Sequence, residues 1–307
     1  MGQKPFDVVV VGELNPDLIL SGDVRPDFGQ VEKLVDGAKL VLGSSSAIFA
    51  RGAARLGLKV AFIGRVGDDL FGDFACKELN EYGIETSGIV RDQVNASGIS
   101  VILSNGADRA ILTYPGTIPF LEYPDIDLEI IQQARHLHVG SYYIQDGLRP
   151  DLPRLFTLAH AHHLTTSLDT NYDPAGKWDA GIQQVLTQVD IFLPNSIECL
   201  GISGMTDLDH AAAKLAKRVK LLGVKLGKEG AWLFRGEETY RQTALPINVV
   251  DTVGAGDSFD AGFIYGYLSG WEPRRILQLA TICGSLSTRQ AGGTRAQPTL
   301  DEALQYM

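Results

Sequence analysis

Asp251-Thr-Val-Gly-Ala-Gly-Asp-Ser-Phe-Asp-Ala-Gly-Phe263 is the stretch whose reading decides how this 307-residue chain folds. A β-branched run at 247–250 feeds a glycine turn, and Asp257 then opens an apolar helical stretch, 258–268. A Gly-Ala-Gly turn at a helix start offers unpaired backbone N–H groups with no side chain in the way. Those donors and the helix dipole together make an anion pocket. A carboxylate placed inside it, Asp257, can accept a proton from an attacking hydroxyl while the pocket holds a transferring phosphoryl group. At this level a second reading stays open, in which Asp257 is an N-cap and the glycines only shape a turn.

Outward from this turn, short apolar runs alternate with amphipathic stretches. The strand candidates are 7–12, 60–65, 136–140, 165–169, 191–194, 220–226 and 231–235, each closed by Gly, Pro, Asp, Asn or a charged residue. Such runs suit strands buried on both faces of a parallel sheet. Helical patterns lie between them at 45–56, 70–82, 128–134, 150–163, 178–187 and 207–218. This order predicts an α/β fold in three layers, α/β/α, with a mostly parallel central sheet. Two stretches break the rhythm, about 13–35 and 88–114. The second holds alternating runs at 97–103 and 109–114 around Asn105-Gly106, a hairpin signal. They are expected to form a small β lid inserted in a single domain spanning 1–307, over the sheet edge where α/β ligands bind.

Composition removes several function classes. With 37 acidic against 27 basic side chains the formal charge is −10, and there is no Lys/Arg cluster to bind nucleic acid or an anionic membrane. No apolar run reaches the roughly 18 residues that span a bilayer, and residues 1–14 lack a signal-peptide layout. Cys76, Cys199 and Cys283 are too scattered for a disulfide framework, so a cytoplasmic location is expected. Neither a G-x-x-x-x-G-K-[ST] nor a G-x-G-x-x-G loop occurs.

The 251–263 stretch closely resembles the C-terminal signature of the PfkB, or ribokinase-like, family of carbohydrate and nucleoside kinases. Other matches stand in the family's order. Gly43-Ser-Ser-Ser-Ala-Ile-Phe-Ala-Arg-Gly, followed by Val60 to Gly67, Asp68 and Gly72, is similar to its N-terminal signature. Asn195-Ser-Ile-Glu198 is similar to its N-x-x-E motif, Lys225-Leu-Gly-Lys-Glu-Gly230 to its nucleotide-side turn, and Gly292 to Pro298 to its tail. The resemblance covers essentially the whole chain.

It implies ATP-dependent phosphorylation of a hydroxymethyl group on a sugar or sugar-like small molecule, by a phosphotransferase acting on an alcohol. Asp257 would be the catalytic base, with Gly254, Ala255 and Gly256 forming the anion hole. Asn195 and Glu198 would organise Mg²⁺ through its waters, and Lys225, Gly227 and Gly230 would contact the nucleotide. Asn15, Asp17, Gly43 and Ser44 would bind the acceptor. Asp251 and the Gly292–Gly293 region correspond to loops that hold a monovalent cation, K⁺, in many relatives. Relatives also use the lid to form homodimers. On the residues alone, Asn195 and Glu198 also fit a helix capping box, Asn15-Pro-Asp17 a turn, and Gly227 to Gly230 a tight strand connection.

The chain departs from the family at two places. Ser44 and Ile48 stand where sugar kinases of this type carry the second Gly and the Asn of Gly-Gly-x-x-x-Asn. Asp173 stands where many relatives carry Arg. An apolar Ile48 opens the alternative of a nucleoside acceptor, and a catalytically silent sugar- or nucleotide-binding regulator is the rival from a different class. His160, His162 and His163 lack the spacing of a metal site and read as a solvated helix end. His136 and His138 share one side of a strand and read as a satisfied core pair.

Overall fold

In a computed structural model, residues 4–105 and 109–307 are described. In chain order the strands are β1 (Phe6–Val11), β2 (Pro16–Ser21), β3 (Gly37–Leu42), β4 (Val60–Gly67), β5 (Glu85–Asp92), β6 (Ile99–Ser104), β7 (Arg109–Tyr114), β8 (Ala134–Val139), β9 (Thr165–Leu168), β10 (Ile191–Phe192), β11 (Leu221–Lys225), β12 (Ala231–Arg235) and β13 (Glu238–Gln242). The helices are α1 (Ser45–Arg55), α2 (Leu70–Asn80), α3 (Leu128–Gln132), α4 (Leu152–Ala161), α5 (Ile182–Val185), α6 (Ser196–Ser203), α7 (Leu208–Ala216), α8 (Ala255–Leu268), α9 (Pro273–Ser287) and α10 (Leu300–Leu304).

Nine strands form the central sheet in the order β13-β12-β11-β10-β9-β8-β1-β4-β5, parallel from β11 through β5 and antiparallel at β12 and β13. The alternation within β1 shows why its valines are continuous. Val8 and Val10 enter the core beneath α1, α2, α8 and α9, while Val9 and Val11 enter the core beneath α3, α4, α5, α6 and α7. Both faces are dry, so both parities must be apolar. The result is the three-layer ribokinase-like fold with a smaller second sheet. Among the described residues no helix is long and apolar enough to cross a membrane.

The second sheet has the order β3-β2-β6-β7. Its register sorts two faces. Ile19, Val41 and Ile102 pack together with Val253 and face the main body. The opposite parity is apolar and open: Ile99, Val101, Leu112 and Tyr114 border a hollow of about 420 Å³. This apolar outer face is invisible in one dimension, because it is assembled from four strands in register.

Several boundaries differ from expectation. β5 belongs to the central sheet although it begins the irregular stretch, whereas β3 joins the small sheet from outside 13–35. Residues 247–250 are no strand; the Val250 and Asp251 N–H groups both donate to the Thr288 carbonyl at the end of α9, at 2.8 and 3.1 Å. The helix expected over 178–187 shrinks to α5 and a following 3-10 turn. Asp173 is the reason: its buried carboxylate accepts from the Ala175, Lys177 and Trp178 N–H groups, and Trp178 and Ala180 take positive φ. Of the Asn105-Gly106 turn, Gly106 lies outside the described residues. Helix α9, unmarked in sequence, packs along α8, where Gly262 and Gly266 admit Ala280 and Ile276; a Cβ on Gly262 would lie 3.0 Å from the Ala280 backbone.

Candidate active site

The loops that follow β1, β8, β9, β10 and β11 leave the same edge of the parallel sheet, the carboxyl edge where α/β folds build sites. Helix α8 points its N-terminus there. Gly254 is its N-cap, with φ 72°, and a Cβ on it would sit 2.6 Å from the Gly293 carbonyl oxygen. Both the left-handed backbone and the close approach demand glycine. Asp257 is therefore the third residue of the helix, not its cap. The Ala255 N–H turns back to the Thr252 carbonyl at 3.3 Å. Those of Gly256 and Asp257 precede the first intrahelical bond, which Ser258 makes to Gly254 at 2.9 Å.

Asp257 is buried, and its carboxyl is pushed well above the ordinary carboxylate range, first by burial and then by the charge of Asp169, with Lys225 and the Ser45 hydroxyl acting against this. Beneath the turn lies an ion cluster that the motifs did not disclose. Lys225 Nζ donates to Asp169 Oδ2 at 2.8 Å and to Asp260 Oδ2 at 3.1 Å. Burial works against this ammonium, but the charges of Asp169 and Asp260 outweigh it and hold it above the usual lysine range. The same ammonium would touch a Cβ on Gly256 at 3.5 Å, so the charge sits against the first turn of α8. Asp260 is raised by burial, and its Oδ1 is buried without a hydrogen-bond partner among the described residues. The available signals for these two acids were Asp169 at a strand's carboxyl end and Asp260 one turn after Asp257.

Asn195 and Glu198 form a complete capping box at the start of α6. The Glu198 N–H donates to Asn195 Oδ1 at 3.0 Å, and Glu198 accepts from the Asn195 N–H at 2.8 Å and from Nδ2 at 2.6 Å. Glu198 is nonetheless buried against the cluster, and burial followed by the Asp169 charge raises its pKa to about 7. Gly227 is exposed in the β11–β12 connection. Gly230 is buried, and a Cβ there would overlap the Gln242 carbonyl, so that glycine serves strand pairing with β13.

Asn15 and Asp17 are buried where β1 passes into the small sheet. Asn15 Nδ2 donates to the Pro16 carbonyl at 3.2 Å and reaches Ser100 Oγ at 3.5 Å. Burial, then the charges of Glu13 and Asp251, raise Asp17 to about 7, against a hydrogen bond from Ser100. Gly43 is glycine because any Cβ would overlap the Asp17 carboxylate. Ser44 caps α1 at φ 65°; its hydroxyl donates to the Glu13 carbonyl and accepts from the Ala47 N–H at 3.3 Å, so it is turned toward the backbone. Glu13, unmarked in the sequence reading, is buried and accepts from Ser46 Oγ at 2.6 Å and Ser141 Oγ at 2.7 Å. Ile48 packs beneath the loop beside the Gly254 turn: its Cδ1 lies 2.6 Å from where a Gly293 Cβ would be.

The two buried histidines are satisfied. His136 reaches Thr165 and Ser167 hydroxyls at 2.7 Å, and His138 reaches Ser167 at 2.8 Å and stacks on Phe49. Burial holds both near pKa 3, neutral in the core. His160 meets Asp190 at 3.1 Å beside a hollow of about 410 Å³ on the opposite edge of the sheet.

Comparisons with known proteins show the family and the fold. The 5-dehydro-2-deoxygluconokinase of Geobacillus thermodenitrificans is 31% identical over 321 aligned residues, covering 99% of this chain and 94% of that one. The structure of a ribokinase II candidate from E. coli, in complex with ATP and Mg²⁺, superposes with a TM-score of 0.87 over 98% of both chains at 24% identity. The adenosine kinase of Sinorhizobium meliloti does so with a TM-score of 0.84 over 94% of this chain and 95% of its own, at 25% identity. The family of pfkB carbohydrate kinases matches residues 6–300, and the chain belongs to it: it is a phosphotransferase with an alcohol acceptor.

Proposed function

We propose that the chain transfers the terminal phosphoryl group of ATP to a hydroxymethyl group of a sugar or sugar-like small molecule. Asp257 accepts the hydroxyl proton, and the Gly254–Gly256 turn holds the phosphoryl oxygens. The observation that carries this is the placement of a buried carboxylate at the third position of α8, against an ammonium and beside uncapped first-turn N–H groups. The dipole and those N–H groups favour negative charge on the transferring group, and little covalent work is left to the protein. The acceptor lies between Asp257 and the Asn15–Asp17 pair, whose amide and carboxyl can engage neighbouring hydroxyls. The small sheet, with its inner face on Val253, acts as the lid that excludes water from the transfer.

Ile48 packs on Gly293, so its replacement of Asn serves the anion turn and gives no reason to prefer a nucleoside. Asp173 organises its own loop, accepting from three backbone N–H groups. The test is ADP release with D-ribose, D-fructose, 5-dehydro-2-deoxygluconate and adenosine. Turnover on a sugar or sugar acid supports the reading; turnover confined to adenosine replaces it with a nucleoside kinase.

Half-buried Asn195 and buried Glu198 and Asp169 are hard oxygen donors at the strand edge, a set that fits a Mg²⁺ held through its own waters. Such an ion supplies charge neutralisation between the ATP phosphates. Glu198→Gln is expected to raise the Mg²⁺ needed for half-maximal rate about tenfold, as outer-shell changes do; an unchanged Mg²⁺ curve removes Glu198 from the site. The outer face of the lid is read as the seat of a second copy of the chain, because contiguous apolar surface of this kind is unusual on a monomer. Light scattering should give a dimer for wild type and a monomer for Leu112→Asp; a monomeric wild type removes the dimer.

A further inference from the structure

Asp251 joins three segments. Its Oδ1 accepts from Arg109 Nη1 at 3.0 Å and from the Val253 N–H at 3.0 Å, and its Oδ2 accepts from the Gly292 N–H at 2.9 Å. Arg109 Nη1 also reaches Thr252 Oγ1 at 3.3 Å. Arg109 opens β7, on the parity of the small sheet that faces the main body. Both loops tied by Asp251 border the anion turn, since Gly254 packs directly on Gly293. The lid touches the same two loops through apolar groups. Val253 packs on Ile19, Val41 and Ile102, and a Cβ on Gly292 would meet Ile19 and Val41 at 3.7 Å.

With the guanidinium docked, the Asp251 carboxylate holds three N–H donors and faces a fixed positive charge. That donor set does not fit a K⁺ ligated by the same carboxylate, because the incoming ion would meet a like charge at Oδ1. The side chains of the pair are 36% and 18% exposed. Ion pairs this open to water contribute little to global stability, so the contact can form and break as the lid moves. Its effect is local: it orders the loop whose backbone must present N–H groups in one geometry.

We propose that Arg109 is a lid-borne positioning residue, whose docking on Asp251 completes the anion turn as the lid closes and supplies from the chain itself the charge that a bound monovalent cation would otherwise bring. Acceptor closure and competence for phosphoryl transfer are thereby linked. The proposal rests on the α8 N-terminus being the phosphoryl site.

The test compares wild type, Arg109→Met, Arg109→Lys and Asp257→Asn in the full chain, on whichever of the four acceptors above releases ADP, in Na⁺ and in K⁺ buffers. Arg109→Met should lower kcat about tenfold with the KM for ATP within about threefold, a smaller loss than removal of a direct oxyanion donor. K⁺ should stimulate Arg109→Met and leave wild type unchanged, and Arg109→Lys should recover most of the rate. Urea midpoints should match across the Arg109 variants, separating a local effect from unfolding. An Arg109→Met enzyme with wild-type kcat in Na⁺, or a wild type that itself requires K⁺, overturns the proposal while an inactive Asp257→Asn keeps the phosphoryl site in place. An active Asp257→Asn overturns the site reading instead.

Discussion

Asp257→Asn should lose turnover by about 10²- to 10⁴-fold, the range in which a positioned base contributes, while the KM for ATP changes by no more than about threefold. Asparagine keeps the size of the side chain and its hydrogen bond to Ser45 but cannot take a proton at the acceptor oxygen. The two N–H groups that open α8 are backbone and survive the change. A kcat within twofold of wild type would end the base assignment. The pH dependence carries the same logic with a definite sign. Burial and Asp169 raise the Asp257 pKa, so the ionised, proton-accepting form is depleted as pH falls through that raised value. The rate should therefore drop on the acid side at a midpoint well above an ordinary aspartate's. Asp169→Asn removes one of the charges that raise Asp257 and should move that acid limb to lower pH. A limb that stays in place would mean another group controls it.

Lys225→Met should be the largest single loss of stability. The ammonium is buried between two carboxylates, and deleting it leaves Asp169 and Asp260 as uncompensated buried acids. Breaking such a buried pair costs about 3–5 kcal/mol, against about 0–1 kcal/mol for a surface pair. Urea unfolding should show the fall in midpoint. The triple variant Lys225→Met/Asp169→Asn/Asp260→Asn should recover much of it, since neutral amides no longer need a counter-charge. An unchanged midpoint for the single variant would show that these acids are protonated together and that the lysine contributes no net attraction. Activity separates the two roles of the cluster. The triple variant should remain folded and slow, because Lys225 also sits under the turn proposed to hold the phosphoryl group.

The strands of the central sheet were readable because burial on both faces leaves runs of apolar residues with no polar alternation, as in Phe6–Val11 and Leu221–Lys225. The elements that went unread carry weaker local patterns. β13, Glu-Thr-Tyr-Arg-Gln, is a polar edge strand held by its pairing with β12, and β3 begins with Gly and exposes Lys39. The run at 247–250 has strand composition, but the N–H groups of its last residue, Val250, and of Asp251 go to the Thr288 carbonyl, 38 and 37 residues further along. Asp173 shows the reverse case: its carboxylate draws the Ala175, Lys177 and Trp178 N–H groups, and positive φ at Trp178, Ala180 and Gly181 delays the helix that composition favours to Ile182.

The motif residues divide in the same way. Asp257 and the Gly254 turn were legible because a glycine turn that starts a helix is local in sequence, a few consecutive residues with one geometry. Asn195 and Glu198 were legible as a pair three residues apart, and both the capping box and the buried, raised carboxyl are present in one arrangement. Ser44 and Gly43 were legible as a motif, but only packing assigns them to capping α1 and making room for Asp17.

What the sequence by itself determined is the alternating order of strands and helices and the turn at 251–257, because hydrophobic period, glycine and helix-start chemistry act between near neighbours. The tertiary structure alone decided which charges meet. Lys225 lies 56 residues from Asp169 and 35 from Asp260, and Arg109 lies 142 from Asp251. Coulombic contact depends on distance in space and on the water excluded around it, and neither quantity is written along the chain.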